Sequence, residues 1–140
     1  MARLLVAVDG SECSLRALAY AIDVARRGGT EIEALNVQIP IMSGHVREFV
    51  SQSMIDQYHR SEGELALAPA VRLLNESGVP YNASMVVGHI AETIVAEAAK
   101  RHCDAIVMGT HGMGGMRNIF LGSVAMRVIH AADRPVTLIK

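Results

Sequence analysis

The chain has 140 residues, a length that suits one hydrophobic core. Half of it is apolar (51%) and only 4% aromatic, with no Trp, so Ala, Val, Leu, Ile and Met must fill the interior, as in helices stacked closely on a sheet. A formal net charge of -1 excludes a nucleic-acid binder that works by bulk phosphate neutralisation, but not one bound nucleotide, because a few backbone amides hold a phosphate.

In chain order, Leu4 to Val8 is a continuous apolar run ended by Asp9-Gly10-Ser11. This pattern predicts a strand covered on both faces. It is too short for a signal h-region with a cleavage site. Ser11 or Glu12 opens a helix with Leu15, Leu18, Ala19, Ile22 and Ala25 at helical spacing, stopped by Gly28-Gly29. Glu31 to Gln38 alternates at first and predicts a second strand, ended by Pro40. Residues 41–60 mix Met42, Phe49, Met54 and Tyr58 with polar residues, and a helix is expected through part of them. Leu65, Leu67, Ala70, Val71 and Leu74 make a clearer helix closing at Asn75-Glu76-Ser77-Gly78. Pro69 inside it predicts a kink or a start near Leu67.

Tyr81 to Val87 follows as a third strand. Gly88-His89 turns into a helix with Ile90, Ile94, Val95, Ala98 and Ala99 on one side. Ala105 to Met108 is a short fourth strand. Ser123 opens a last helix with Val124, Val128, Ile129 and Ala132 inward, and Val136 to Ile139 is the fifth strand. Strands alternating with helices imply parallel pairing through right-handed crossovers, hence a doubly wound five-stranded α/β sheet in a single domain, residues 1–140. No run approaches the ~18 apolar residues of a membrane span. Cys13 and Cys103 form no CxxC pair, which argues for reduced thiols in the cytoplasm, with Cys13 packed. His45, His59, His89, His102 and His130 lack metal-ligand spacing and are expected at the surface or at caps.

Ligands of open parallel sheets bind beyond the carboxyl ends of the strands, where strand order reverses. Asp9-Gly10-Ser11 follows strand 1 and Gly109-Thr110-His111-Gly112 follows strand 4, so neighbouring strands 1 and 4 would line one crevice. The loop from Gly109 to Ser123 is glycine-rich, and Gly122-Ser123 stands at a helix mouth, where unpaired amides and the helix dipole favour an anion. It is neither a Walker A loop nor a GxGxxG fingerprint. Asp9 and Ser123 could instead act only as helix caps. His111 could face solvent, and Arg117 could be a plain exposed charge. Gly112, Gly114 and Gly115 could be surface loop alone, with Met113 and Met116 covering it or meeting a partner.

The spacing Gly109-x2-Gly112-x9-Gly122-Ser123 resembles the glycine motif of the ATP-binding branch of the universal stress protein family. Leu5-Val6-Ala7-Val8-Asp9-Gly10-Ser11 is similar to that family's opening strand and turn, and Asp104-Ala105-Ile106-Val107-Met108-Gly109 to its fourth strand. Gly122-Ser123-Val124-Ala125 is similar to its last helix start. The resemblance covers nearly the whole chain and implies an adenine nucleotide alpha hydrolase-like sheet of order 3-2-1-4-5. It implies ATP, with Mg, as ligand. Asp9 would meet the ribose or help hold the metal, Ala7 and Val8 would border the base, and Val37 would offer backbone contacts to adenine. Met108 and Gly109 would flank the ribose. His111 and Gly112 would lie near the phosphates, with Gly122, Ser123, Val124 and Ala125 contacting them. Ala125 lacks a hydroxyl that some relatives carry. The resemblance also implies a homodimer joined along Val136 to Ile139.

No catalytic set stands at the strand ends. His111 and Arg117 are the only groups placed to position a water, so the expected role is a nucleotide-dependent regulator rather than an enzyme. The alternatives are a dimeric interaction module without nucleotide and a slow ATPase.

Overall fold

The computed structural model describes residues 2–113 and 120–140. Five strands, β1 (Arg3–Ala7), β2 (Glu31–Gln38), β3 (Tyr81–Val87), β4 (Ala105–Gly109) and β5 (Val136–Ile139), form one parallel sheet of order β3-β2-β1-β4-β5. This is the expected doubly wound order. Between the strands run α1 (Glu12–Gly28), α2 (Gly44–Phe49), α3 (Gln52–Ser77), α4 (Ile90–Lys100) and α5 (Ser123–Ala131).

Because successive strand side chains point to opposite faces, the continuous apolar runs feed two cores. Val6, Val8, Ile32, Ala34 and Val107 pack under α1 and α3. Leu5, Leu35, Ile106 and Met108 pack under α4 and α5. Ser11 caps α1, its hydroxyl accepting the Ser14 N–H at 3.2 Å, and Gly29 ends that helix in the left-handed region.

Four expectations need correction. The helix containing Pro69 does not start near Leu67; α3 runs unbroken from Gln52 to Ser77. The missing proline N–H would have bonded the carbonyl of Leu65, an exposed residue, so water can take its place. Burial of Ile55, His59, Leu67, Ala70 and Leu74 along one face holds the helix through that point. Residues 41–60 therefore hold the short α2 and the first two turns of α3.

His59 is 4% exposed rather than at the surface, its Nε2 lying 3.1 Å from the Ile39 carbonyl. Ala19, Ala99 and Ile129 point outward, while Ala125 takes an inward place on α5. Glu33 breaks the early alternation of β2. It is 5% exposed, held by Arg101 Nη1 at 3.2 Å and Asn82 Nδ2 at 3.0 Å.

Candidate functional site at the carboxyl ends of strands β1 and β4

β1 has β2 on one side and β4 on the other, so strand order reverses between β1 and β4. All five strands are parallel, which gathers their carboxyl-end loops at one edge. A crevice of about 370 Å3 opens there. Ala7, Val8, Asp9, Val37, Met108, Gly109, His111, Gly112, Gly122, Ser123, Val124 and Ala125 all border it. The structure thus brings together all twelve residues singled out from sequence. No residue between 41 and 60 borders it. Gly114, Gly115, Met116 and Arg117 lie outside the described residues.

β1 ends in a sharp turn. Gly10 has φ +86°, a left-handed conformation that side chains with a Cβ resist. The Asp9 carboxylate does not cap α1, which Ser11 does. Its Oδ1 accepts the Ser11 N–H at 2.9 Å, and its Oδ2 accepts the Met113 N–H at 3.0 Å. One carboxylate therefore ties the β1 turn to the loop after β4.

The glycines of that loop are explained in part by the protein's own contacts. A Cβ on Gly109 would stand 2.6 Å from Cys13 Sγ, and one on Gly112 would stand 2.7 Å from Asp9 Oδ2. A Cβ on Gly122 would stand 3.0 Å from the Thr110 carbonyl, which accepts the Gly122 N–H at 2.8 Å. Thr110 in turn donates its N–H to Ile139 O at 2.9 Å, anchoring the loop on β5. The Thr110 hydroxyl lies 3.0 Å from His111 Nδ1. Cys13 packs as expected, its Sγ 3.3 Å from the Ile139 carbonyl.

Gly122, not Ser123, is the N-cap of α5, and among the described residues no side chain caps that end. No acidic residue occupies the first turn. The first-turn amides have no intrahelical partner, and nothing negative on the helix competes for them. Ser123 is exposed at the first helical position, its hydroxyl not engaged in capping.

Much of the remaining lining is apolar, built from Leu35, Val37, Ile90 and Ile94 beside Met108. Sequence reasoning assigned Leu35 to a strand and Ile90 and Ile94 to the core, and missed that they also line the crevice. It placed Thr110 on the crevice with the rest of Gly109-to-Gly112, but missed Ser14 and Met113 as lining residues, and above all Asn36. Asn36 is 2% exposed; its Nδ2 donates to Val8 O at 2.8 Å and its Oδ1 accepts from Gln38 Nε2 at 2.8 Å. The signal was present: one amide between Leu35 and Val37 at the end of an apolar strand. Asn36 fixes the spacing of β1 and β2 where the crevice begins.

These features define a doubly wound α/β protein with a helix N-terminus and a glycine-lined loop facing an apolar slot. The sequence model described as the universal stress protein family matches residues 1–140, and the chain belongs to that family. It is 37% identical over 139 residues to a universal stress protein of Methanocaldococcus jannaschii, a match covering 99% of this chain and 81% of that protein. Among solved structures it resembles MJ0577, whose biochemical function was assigned from its structure, with TM-score 0.86 and 27% identity over 99% of this chain and 95% of the other. It also resembles the universal stress protein from Archaeoglobus fulgidus solved in complex with dAMP, with TM-score 0.73 and 27% identity over 100% of this chain and 98% of that one. The fold is the adenine nucleotide alpha hydrolase-like one. Among the described residues, no helix is long and apolar enough to cross a membrane.

Proposed function

We infer that this universal stress family protein binds ATP in the crevice between β1 and β4 and works as a nucleotide-dependent regulator. The observation that carries the reading is the convergence of two unlike surfaces on one cavity. An aliphatic slot suits a purine, and an uncapped helix N-terminus suits a phosphate. The dAMP complex of the Archaeoglobus relative supports the same class of ligand.

In this reading Val37 and Ala7 flank the base, Asp9 meets the ribose, and the amides of Ser123, Val124 and Ala125 receive phosphate. Asp9 is the one carboxylate among the described lining residues, and those residues contain no group of three or more His, Cys, Asp or Glu suited to a metal. Mg²⁺ would therefore arrive on the phosphates, neutralising their charge, with Asp9 as its only carboxylate partner from the described lining.

A homodimer along β5 belongs to the same proposal. β5 is an edge strand, half-buried throughout, and α5 exposes Met126 and Ile129. A bare edge of this kind is ordinarily paired or covered. The two free thiols, Cys13 and Cys103, fit the reducing cytosol.

Calorimetric titration of ATP with Mg²⁺ into protein stripped of nucleotide tests the reading. Saturable one-site binding is expected, weakened at least roughly tenfold by Gly122→Val, which drives a side chain against the Thr110 carbonyl. No heat and no saturation at millimolar ATP would sink it. Light scattering that returns a monomer would remove the dimer and leave the nucleotide site standing.

A further inference from the structure

We propose that Asp9 is a positioning residue for the phosphate side of the crevice, setting the lip 110–113 through the Met113 amide. This goes beyond a ribose contact and rests on the nucleotide-binding reading. The lip is fastened at both ends. Thr110 donates its N–H to Ile139 O at 2.9 Å on β5, and Met113 donates its N–H to Asp9 Oδ2 at 3.0 Å on the β1 turn. Asp9 is itself steadied, because its Oδ1 accepts the Ser11 N–H at 2.9 Å. The Met113 side chain is 71% exposed, so among the described residues the hydrogen bond to the Asp9 carboxylate, not side-chain packing, ties down this end of the lip.

Gly112 carries the second half of the argument. A Cβ there would lie 2.7 Å from Asp9 Oδ2, and among the described residues beyond its chain neighbours only Asp9 comes within 4 Å of it. The lip approaches the carboxylate so closely that a side chain between His111 and Met113 would press on it. Any other residue pushes on the free end of a side chain, so Asp9 swings away and the backbone keeps its place. The second glycine of the motif is thus required by Asp9, and not only by a phosphate. A carboxylate offers about four acceptor sites. Two are used by Ser11 and Met113, which leaves capacity for a sugar hydroxyl on the same group. Sugar contact and lip position are then coupled through one side chain.

The test separates lip from ligand. In nucleotide-free protein, amide exchange by ¹⁵N NMR reads Met113 directly. The wild-type amide is expected to be protected, and both Asp9→Asn and Gly112→Ala to speed its exchange roughly tenfold, the change expected when a hydrogen bond to a charged acceptor is lost. Unchanged thermal melting of the Gly112→Ala protein keeps the result from being attributed to unfolding. Affinities for adenosine and for ATP are then compared in Asp9→Asn, both without Mg²⁺, so that a lost metal contact of Asp9 cannot mimic a displaced lip. A ribose contact alone weakens both ligands by the same factor. A positioned lip adds a further loss for ATP alone, again roughly tenfold. Equal losses for the two ligands, or Met113 exchange that neither variant alters, would overturn the proposal. Wild-type protein that binds neither ligand would defeat the nucleotide reading instead, with the Met113 exchange still deciding whether Asp9 sets the lip.

Discussion

The two ends of the sheet are built by opposite rules. At the amino ends of the strands, charged and amide side chains close on one another. Glu33 on β2 meets Arg101 from the end of α4 at 3.2 Å and Asn82 on β3 at 3.0 Å, and Arg3 on β1 pairs with Glu31. Arg101 also donates to Ser84 Oγ at 2.7 Å and to Glu97 at 2.8 Å. Among the described residues, no buried side-chain nitrogen or oxygen lacks a partner. At the carboxyl ends the chain instead leaves a gap, lined by aliphatic groups, glycines and a single described carboxylate. One end joins three strands and a helix through charged side chains, and the other is tied by Asp9, Asn36 and a few backbone hydrogen bonds. Satisfied buried charges fix an arrangement, whereas helix N-terminal amides that lack an intrahelical partner can receive a ligand. The comparison therefore predicts that stability and binding can be damaged separately.

The largest effect should come from Arg101→Ala. It strips Glu33 of its main charged partner while leaving the carboxylate buried, with Arg3 Nε at 3.9 Å the nearest remaining cation. Breaking a buried pair from one side costs about 3 kcal/mol, and less here because Arg101 is itself partly exposed, so roughly 2 kcal/mol is expected by urea unfolding. ATP affinity should stay within about twofold of wild type. If affinity falls in step with stability, the two ends are not independent and the comparison breaks.

A smaller loss is expected at the other end from Ser11→Ala. The Ser11 hydroxyl accepts the Ser14 N–H at 3.2 Å and starts α1 directly after the Asp9 turn. Losing such a cap costs about 1 kcal/mol. Because the Ser11 backbone N–H still reaches Asp9 Oδ1, the Asp9 carboxylate should keep its place, and the thermal midpoint should drop with the Met113 amide still protected. Loss of that protection would show that the turn and the lip are one unit.

The contrast also explains what the sequence disclosed. Strands covered on both faces leave an unbroken apolar run. That pattern disclosed β1 and β4, while β2, β3 and β5, bounded by turn residues and prolines, were legible to the residue from Glu31-to-Gln38, Tyr81-to-Val87 and Val136-to-Ile139. The crevice was legible because topology fixes where loops gather, and because glycines and Asp9 stand immediately after apolar strands. What stayed hidden depends on partners distant in sequence. Glu33 looks solvent-facing until Arg101 and Asn82 arrive from α4 and β3. His59 looks like a surface residue until the Ile39 carbonyl meets it. Pro69 argued for a kink or a helix start near Leu67 by local rule, and burial along one face of α3 carried the helix past that start. The bond from Met113 to Asp9 could not be read from either segment alone.

The smallest effect sharpens the comparison from the closed end. Cys103 follows α4 beside the charged network and is 2% exposed. Burial, with the Glu33 charge adding to it, pushes its thiol up to about 11, against the opposing pull of Arg3, Arg101 and Arg134. A thiol raised in the folded state keeps its proton after the unfolded chain has released its own near the ordinary value of about 8.5. Folded protein then holds more protons than unfolded protein, so stability falls as pH rises. The contribution is complete below the ordinary thiol value and is lost progressively as pH climbs toward about 11. Urea midpoints of wild type and Cys103→Ser, measured at steps across that window, should converge as pH rises, because the hydroxyl does not titrate there while every other ionising group is common to both proteins. Midpoints that run parallel would mean that the thiol ionises in the folded protein as freely as in the unfolded chain, and that the amino end of the sheet is open to water in a way its hydrogen-bond network does not allow.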